Sequence, residues 1–334
     1  MLPDFIGHIK SFALARAMMA ALELNIFPLL AESPRQRSEL IRQAGLADSP
    51  ITHGFLDILI ASELLAEKDG KITLLPLGQS VLPSYESMQS WSREMDLYYR
   101  SLDDLPQVLK TGDFTSTSLT QYWAYKGTTN RAAIQSSAVS DYSAVMAGSQ
   151  NQLSQVILDT YDFSAMKHVI DFGGGYGHLG MALARRHPHL KVTVADLPAV
   201  CEGAKARIAD AGLAVQVDCL PIDFLKDTLP NGVADAILFS RVLHDWGGDE
   251  AAVLLERTRV CLNGSGVALI IEPMPDGGTA PDPSSAITNL MLTLMGGKRR
   301  SVQEMMRFLE KAGYRDITWR DCGLSLYKMV VAHV

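Results

Sequence analysis

The chain has 334 residues, of which 47% are hydrophobic and 20% charged, with a formal net charge of −7. Its length exceeds a typical single domain, so two domains are expected, and its apolar share supports a sizeable core, which excludes a disordered chain. The acidic balance argues against a general nucleic-acid or membrane-surface binder, because such proteins need clustered positive charge.

Residues 4–31 read as one or two helices, with FALARAMMAALELNIFPLL apolar all round and therefore covered by a large core or by another subunit. Arg16, Glu23 and Asn25 interrupt this stretch, and no basic segment leads into an apolar core with a cleavage site. Neither a membrane span nor a leader is expected, and the cytoplasm is the default location. Ser38 to Ala44 has a short helical pattern with Glu39 and Arg42 outward. Asp48 or Ser49 can cap the next helix, with Pro50 in its first turn, running through ITHGFLDILIASELL. AEKDGKITL is a hairpin signal with its turn at Asp69-Gly70.

Helices followed by a hairpin make a winged-helix shape. Residues 49–64, where a DNA-reading helix would lie, contain no Lys or Arg, so the shape is read as scaffold. From 87 to 160 the pattern is almost wholly helical and rich in aromatics and methionines. Most of these are expected in the core, whereas Trp123, Tyr142 and Met146 are candidates for lining a pocket for a flat aromatic substrate. Near residue 160 helical patterning gives way to alternating strands and helices. The expected domains are therefore 1–160 and 161–334.

The second half opens on KHVIDFGGGYGHLG, residues 167–180. An apolar run ends in Asp171, glycines follow at 173, 174, 175 and 177, and a helical pattern begins at once. Strand, glycine turn and helix start seat a nucleotide-like ligand at the end of a parallel strand. Residues 175–180 also spell G-x-G-x-x-G, so a dinucleotide fold competes here. Later strands are KVTVADL ending at Asp196, LAVQVDCLPID ending at Asp223-Phe224, ADAILFS followed by RVLHDW, and GVALIIEP. The helix with Val253, Leu254, Val260 and Leu262 is expected to stop at Asn263-Gly264. Helices at about 285–295 and 301–313 precede a final antiparallel pair. Successive strand–helix units imply an α/β doubly wound, mostly parallel sheet. The four cysteines, Cys201, Cys219, Cys261 and Cys322, form no C-x-x-C pair, so no disulfide or metal framework is expected.

Asp196, 25 residues after Asp171, can hold ribose hydroxyls in either nucleotide reading. Two features separate the readings. A pyrophosphate at the helix start would be repelled by Asp171, which suits a ligand bearing an ammonium or sulfonium. Asp223-Phe224 offers an acceptor and an apolar face for an adenine.

The set D-F-G-G-G-Y-G, Asp196, I-D-F, S-R-V-L-H-D-W, I-E-P and G-G-K resembles the SAM-dependent small-molecule O-methyltransferases. The nearer group is the plant phenolic and hydroxyindole enzymes and their bacterial polyketide-tailoring relatives. The resemblance covers nearly the whole chain, including ELNIFPLL…LLAEKDGKITLLPLG, which is similar to that group's winged-helix dimerisation domain. It implies a Rossmann-like seven-stranded sheet with one reversed strand near its edge, and a homodimer. It implies S-adenosyl-L-methionine as cofactor and S-adenosyl-L-homocysteine as product. Gly173, Gly174 and Gly175 then border the methionine part beside Asp171. Asp196 with Leu197 lies at the ribose, Asp223 and Phe224 at the adenine, and Ser240 and Arg241 along the cofactor.

Methylating a phenol, whose pKa is about 10, requires its proton to be removed as attack begins, and a histidine with a pKa near about 6.5 is suited to that. His244 lies just beyond a strand's carboxyl end and within H-D-W, which makes it the expected base. Glu272, or alternatively Asp245, would fix its tautomer. The family often carries an acid after G-G-K, where this chain has Arg299. Met291 and Met295 are candidates for the substrate wall. The resemblance leaves a second reading open, since related proteins use the fold for decarboxylation, hydroxylation or ring-forming rearrangements. A winged-helix regulator sensing SAM is a third.

Overall fold

A computed structural model describes residues 2–103, 105–113, 150–247, 250–275, 283–294, 296–324 and 326–334. The chain divides into two compact units, Met1–Asp96 and Leu97–Val334. The patterning changes later, near residue 160, because helices continue into the second unit: α7 (Leu105–Thr111) and α8 (150–160), which follow α5 (Pro76–Gln79) and α6 (Tyr85–Ser101), both belong to it.

In the first unit, α1 (Leu2–Glu23) and α2 (Ile26–Glu32) are separated at Asn25, which sits in the left-handed region at φ 56°. Asparagine is one of the few residues besides glycine that visits this region readily. Strand β1 (Arg35–Gln36) leads into α3 (Arg37–Gln43), and α4 (Pro50–Ala61) follows. Ser49 caps α4, accepting from the Thr52 N–H at 3.3 Å, with Pro50 just inside. Strands β2 (Leu65–Lys68) and β3 (Lys71–Leu74) meet at Asp69 and Gly70, both with positive φ, as the tightest hairpin turn requires. The sequence pattern had not suggested β1, only two residues long, which pairs antiparallel with β3. Ala17, Ala21, Ile26, Phe27, Leu40, Leu56, Leu59 and Ile72 form the unit's core. The start of α1 is different: within the single chain Phe5, Ile6, Ile9 and Phe12 are exposed. By length and composition alone, Phe5–Glu23 would also suffice to cross a membrane.

The second unit is a seven-stranded sheet in the order β6-β5-β4-β7-β8-β10-β9. Its strands are β4 (His168–Phe172), β5 (Lys191–Asp196), β6 (Val217–Pro221), β7 (Ala234–Ser240), β8 (Leu262–Pro273), β9 (Arg315–Asp321) and β10 (Tyr327–His333). All neighbours from β6 to β8 are parallel, and β10 runs antiparallel to both β8 and β9. The chain builds outward from β4 through β5 to β6, then returns to place β7 on the other side of β4. The carboxyl end of β4 is thus the switch point of the sheet, where such folds open a crevice for ligands.

Helices α8, α9 (His178–Arg186) and α10 (Pro198–Asp210) contribute to a core that includes Leu153, Ile157, Leu183 and Ile208. Helices α11 (Glu250–Thr258) and α13 (Val302–Lys311) contribute to a second, with Leu254, Leu255, Met305 and Leu309. The fold also contains α12 (Pro283–Leu294).

The expected stop of the α11 pattern at Asn263-Gly264 is not observed. The helix ends at Thr258, and β8 already begins at Leu262. Asn263 is committed elsewhere, with its side-chain amide donating to Asp235 Oδ1 at 2.7 Å, and Leu262 registers against Ala234 of β7.

At the heart of the second core Phe172 stacks on Phe239, with ring centroids 5.4 Å apart and fully buried rings. Truncation of Phe239 to alanine removes this stack and leaves a cavity, for an expected loss of about 3–5 kcal/mol. Chemical denaturation of the purified protein measures it.

Candidate active site

The glycine loop follows directly from β4. Asp171, at register with Val194 of β5 and Leu238 of β7, is 1% exposed, and among the described residues neither of its carboxylate oxygens has a hydrogen-bond partner. Burial first, and the nearby Asp196 second, push its pKa up to about 7. The glycines around it are needed for different reasons. A Cβ on Gly174 would lie 2.6 Å from Asp171 Oδ2, so only bare backbone fits beside the carboxylate. Gly173 combines a φ of +68° with a Cβ position 2.7 Å from Val242. Gly175 has open space around it, and its N–H donates to Asp196 Oδ2 at 2.9 Å. Tyr176 folds back onto α10, with the Arg207 guanidinium 4.0 Å above its ring.

Asp196 ends β5 on the neighbouring strand. Its second oxygen accepts from the Leu197 N–H at 2.7 Å, and burial raises its pKa to about 6 against the pull of those two backbone donors. Beyond the end of β6, Asp223 is buried and accepts from the Leu225 N–H at 3.1 Å. Phe224 stands edge-on to Phe172 at 5.9 Å and to Trp246 at 6.4 Å. At the end of β7, Ser240 Oγ lies 3.1 Å from the Gln150 amide. The following Arg241 holds φ at 60°, a strained conformation for its side chain, with its N–H bonded to Ile271 of β8. Asp171, Asp196, Asp223 and Ser240 are therefore gathered at the carboxyl ends of four adjacent strands.

His244 sits in a short 3-10 turn, Leu243–Asp245, immediately beyond β7. Glu272, 2% exposed near the end of β8, bonds its Nδ1 through Oε2. The other Glu272 oxygen accepts the Val242 and Leu243 N–H groups at 2.9 and 2.7 Å. Asp245 Oδ1 lies 3.1 Å from Nε2. The two acids thus take opposite ring nitrogens rather than competing for one, and Glu272 is the acid on Nδ1. Burial acts to lower the His244 pKa, but the charges of Glu272 and Asp245 outweigh it and the pKa is raised.

Met291 is half-buried on α12, while Trp123, Tyr142, Met146 and Met295 lie outside the described residues. Arg299, standing where an acid was expected, is buried and donates to the Pro273 carbonyl at 3.1 Å and the Ser285 carbonyl at 2.8 Å. It ties the end of β8 to α12. Two neighbours escaped the sequence reading. A Cβ on Gly297 would lie 2.4 Å from the His244 carbonyl oxygen, and Arg300, 3% exposed, bonds carbonyls of the His244 turn. The G-G-K-R-R spelling marks the place, but nothing in it says that the second arginine is buried. Among the described residues no cluster of His, Cys, Asp and Glu suits a metal ion, and the four cysteines are free.

Comparison with known proteins bears on this geometry. A family model described as an O-methyltransferase domain matches residues 109–315, and one described as an O-methyltransferase dimerisation domain matches residues 6–79. The mitomycin biosynthesis 6-O-methyltransferase of Streptomyces lavendulae is 29% identical over 330 residues, covering 95% of this chain and 90% of that protein. The aclacinomycin 10-hydroxylase of Streptomyces purpurascens is 36% identical over 184 residues, covering 54% of this chain and 49% of that protein. The solved structure of mitomycin 7-O-methyltransferase superposes with a TM-score of 0.82 at 26% identity, covering 100% of this chain and 98% of that one. The buried acids at the strand ends and the histidine held between two carboxylates thus occur in a chain that belongs to the O-methyltransferase family.

Proposed function

We propose that this enzyme methylates a hydroxyl of a small aromatic or polyketide-like molecule, with S-adenosyl-L-methionine as methyl donor and His244 as general base. The observation that carries the reading is the His244 imidazole, fixed by Glu272 at the carboxyl end of the sheet that also holds the unpartnered Asp171 carboxylate. A buried carboxylate without a hydrogen bond is costly, and a cationic ligand group beside it removes the cost. That charge favours an adenosyl sulfonium bearing an ammonium over a pyrophosphate. Gly174 leaves bare backbone beside the carboxylate and Gly175 has open space around it, so the residues present fit the cofactor. Asp171 and Gly173–Gly175 would hold its methionine part. Asp196 and Leu197 would hold the ribose, Asp223 and Phe224 would flank the adenine, and Ser240 and Arg241 would lie along it. When bound, the cofactor supplies an electrophilic methyl group.

The protein's own part is proton management. Glu272 on Nδ1 keeps that nitrogen protonated, so Nε2 is the atom that takes the substrate's proton, and Glu272 then stabilises the imidazolium. Asp245, now near Nε2, yields that position to the substrate hydroxyl. Without a ligand the two carboxylates favour the protonated ring. Positive charge brought to this end of the sheet opposes that protonation and returns the imidazole to its basic form.

The match to an O-methyltransferase dimerisation domain over residues 6–79 supports a homodimer in which a second copy covers the exposed apolar start of α1. The same similarity supports a cytoplasmic biosynthetic enzyme rather than a membrane-spanning one. Met291 is proposed to line the substrate side. A second reading, non-methylating chemistry on a natural product, is favoured by the likeness to a hydroxylase and by Arg299 in place of an acid.

Incubation with methyl-labelled S-adenosyl-L-methionine and a panel of phenols, catechols and polyketide hydroxyls tests the central reading. Label is expected in product, and His244→Ala should lower kcat by about 10²–10⁴-fold while cofactor affinity by calorimetry stays near wild type. Substrate consumption without label transfer would establish the second reading instead. The base must be deprotonated and its pKa is raised, so kcat/KM of the wild type should climb through a midpoint above the ordinary histidine value. Glu272→Gln removes one charge that favours protonation, so the midpoint should move to lower pH as kcat falls. A cation at Asp171 binds the ionised carboxylate, so cofactor affinity should weaken as pH falls below about 7. Asp171→Asn should bind about 10- to 100-fold more weakly and lose that acid-side dependence.

A further inference from the structure

The turn that carries His244 is gripped from two sides by groups of opposite charge. Its N–H groups, at Val242 and Leu243, go to the buried Glu272 carboxylate. Its carbonyls go to the segment after α12. Arg300 Nη1 donates to the Leu243 carbonyl at 2.8 Å, and Nη2 donates to the Trp246 carbonyl at 2.6 Å. Between them the Lys298 N–H donates to the His244 carbonyl itself at 2.8 Å. This approach is possible because residue 297 is glycine.

We propose that Arg300 is a positioning residue for the base: its guanidinium fork sets the place of the His244 imidazole by holding the carbonyls on either side of it. The proposal rests on the reading of His244 as the base.

The chemistry of the side chain fits this role. A guanidinium is planar and presents two divergent N–H groups, so it spans two carbonyls that a single ammonium cannot hold in the same way. The charge is buried, with the guanidinium carbon 5.2 Å from the Phe308 ring centroid. Burial works against that charge, while the fields of Glu272 and Glu304 support it. The charged groups facing the imidazole are Glu272 from β8 and Asp245 from its own turn, and Arg300 faces Glu272 in turn. Removing Arg300 would strip a cation from the cluster, take the side-chain donor from the Trp246 carbonyl and leave the Leu243 carbonyl with the Trp246 N–H. A displacement of the imidazole by an ångström is enough to cost about 100-fold in rate.

Two variants of the full-length enzyme test the proposal. Arg300→Met removes both charge and fork, and Arg300→Lys keeps the charge without the fork. Both are expected to lower kcat by about 10- to 100-fold with KM and cofactor affinity near wild type. In Arg300→Met the midpoint of the pH profile should also rise, because loss of a cation favours the imidazolium; in Arg300→Lys it should stay close to wild type. Near-wild-type kcat in both variants would overturn the proposal. So would a parallel fall in kcat, cofactor affinity and melting temperature with the midpoint unmoved, since that is the mark of general loosening. Titration of the His244 imidazole by NMR, assigned with His244→Ala, separates this proposal from the reading beneath it. If His244→Ala remains active, the base assignment fails. The His244 ring signal then decides Arg300 alone: a changed chemical shift of the ring in Arg300→Lys, where the charge is kept and the fork lost, supports positioning, and an unchanged one overturns it.

Discussion

A carboxylate buried at the end of β8 is the constraint on which the reactive end of this molecule depends. Glu272 is 2% exposed and cannot remain there as an uncompensated charge. It is compensated by the His244 ring and by two backbone N–H groups of the turn leaving β7. One side chain thereby joins two neighbouring strands, holds Nδ1 of an imidazole and, with Asp245, favours its protonated form. The parallel pairing of β7 with β8, which brings Ser240 opposite Ile271, delivers Glu272 to the place where it can do this.

Asp171 presents the opposite situation two strands away in the sheet. It too is a buried acid at a strand's end, yet both its oxygens lack partners among the described residues. Glu272 is satisfied from within the chain by the His244 ring and two backbone N–H groups, whereas Asp171 is left bare. Only bare backbone fits beside that carboxylate at Gly174. The aromatic rings of Phe239, Phe172, Phe224 and Trp246 form one continuous series of contacts within the second core.

Much of this was legible from residue order. The strand, glycine and helix succession around Asp171 is a local signal, because φ and chain reversal are decided by neighbours a few residues apart. The acids of β5 and β6 and the histidine after β7 were found by the same rule, that ligands gather at the carboxyl ends of parallel strands. Where the reading went astray, long-range contacts outweighed local ones. Asn263-Gly264 looks like a helix stop, but Asn263 is drawn into the sheet by Asp235, and the helix ends five residues earlier. Strand β1 is too short to leave any periodicity and exists only because β3 offers it an edge.

The sequence by itself determined the order of strands and helices, the acids that close them, the glycine loop and the histidine of H-D-W. Each depends on interactions within a few residues or on the regular alternation of apolar positions. Only the tertiary structure decided which acid meets which nitrogen of His244, that Asp171 lies bare, and that Arg300 is buried against carbonyls 54 and 57 residues earlier in the chain. An arginine in a string is ordinarily a surface residue. Arg300 is buried against the turn that carries His244 only because the fold closes over it and supplies acceptors for its donors.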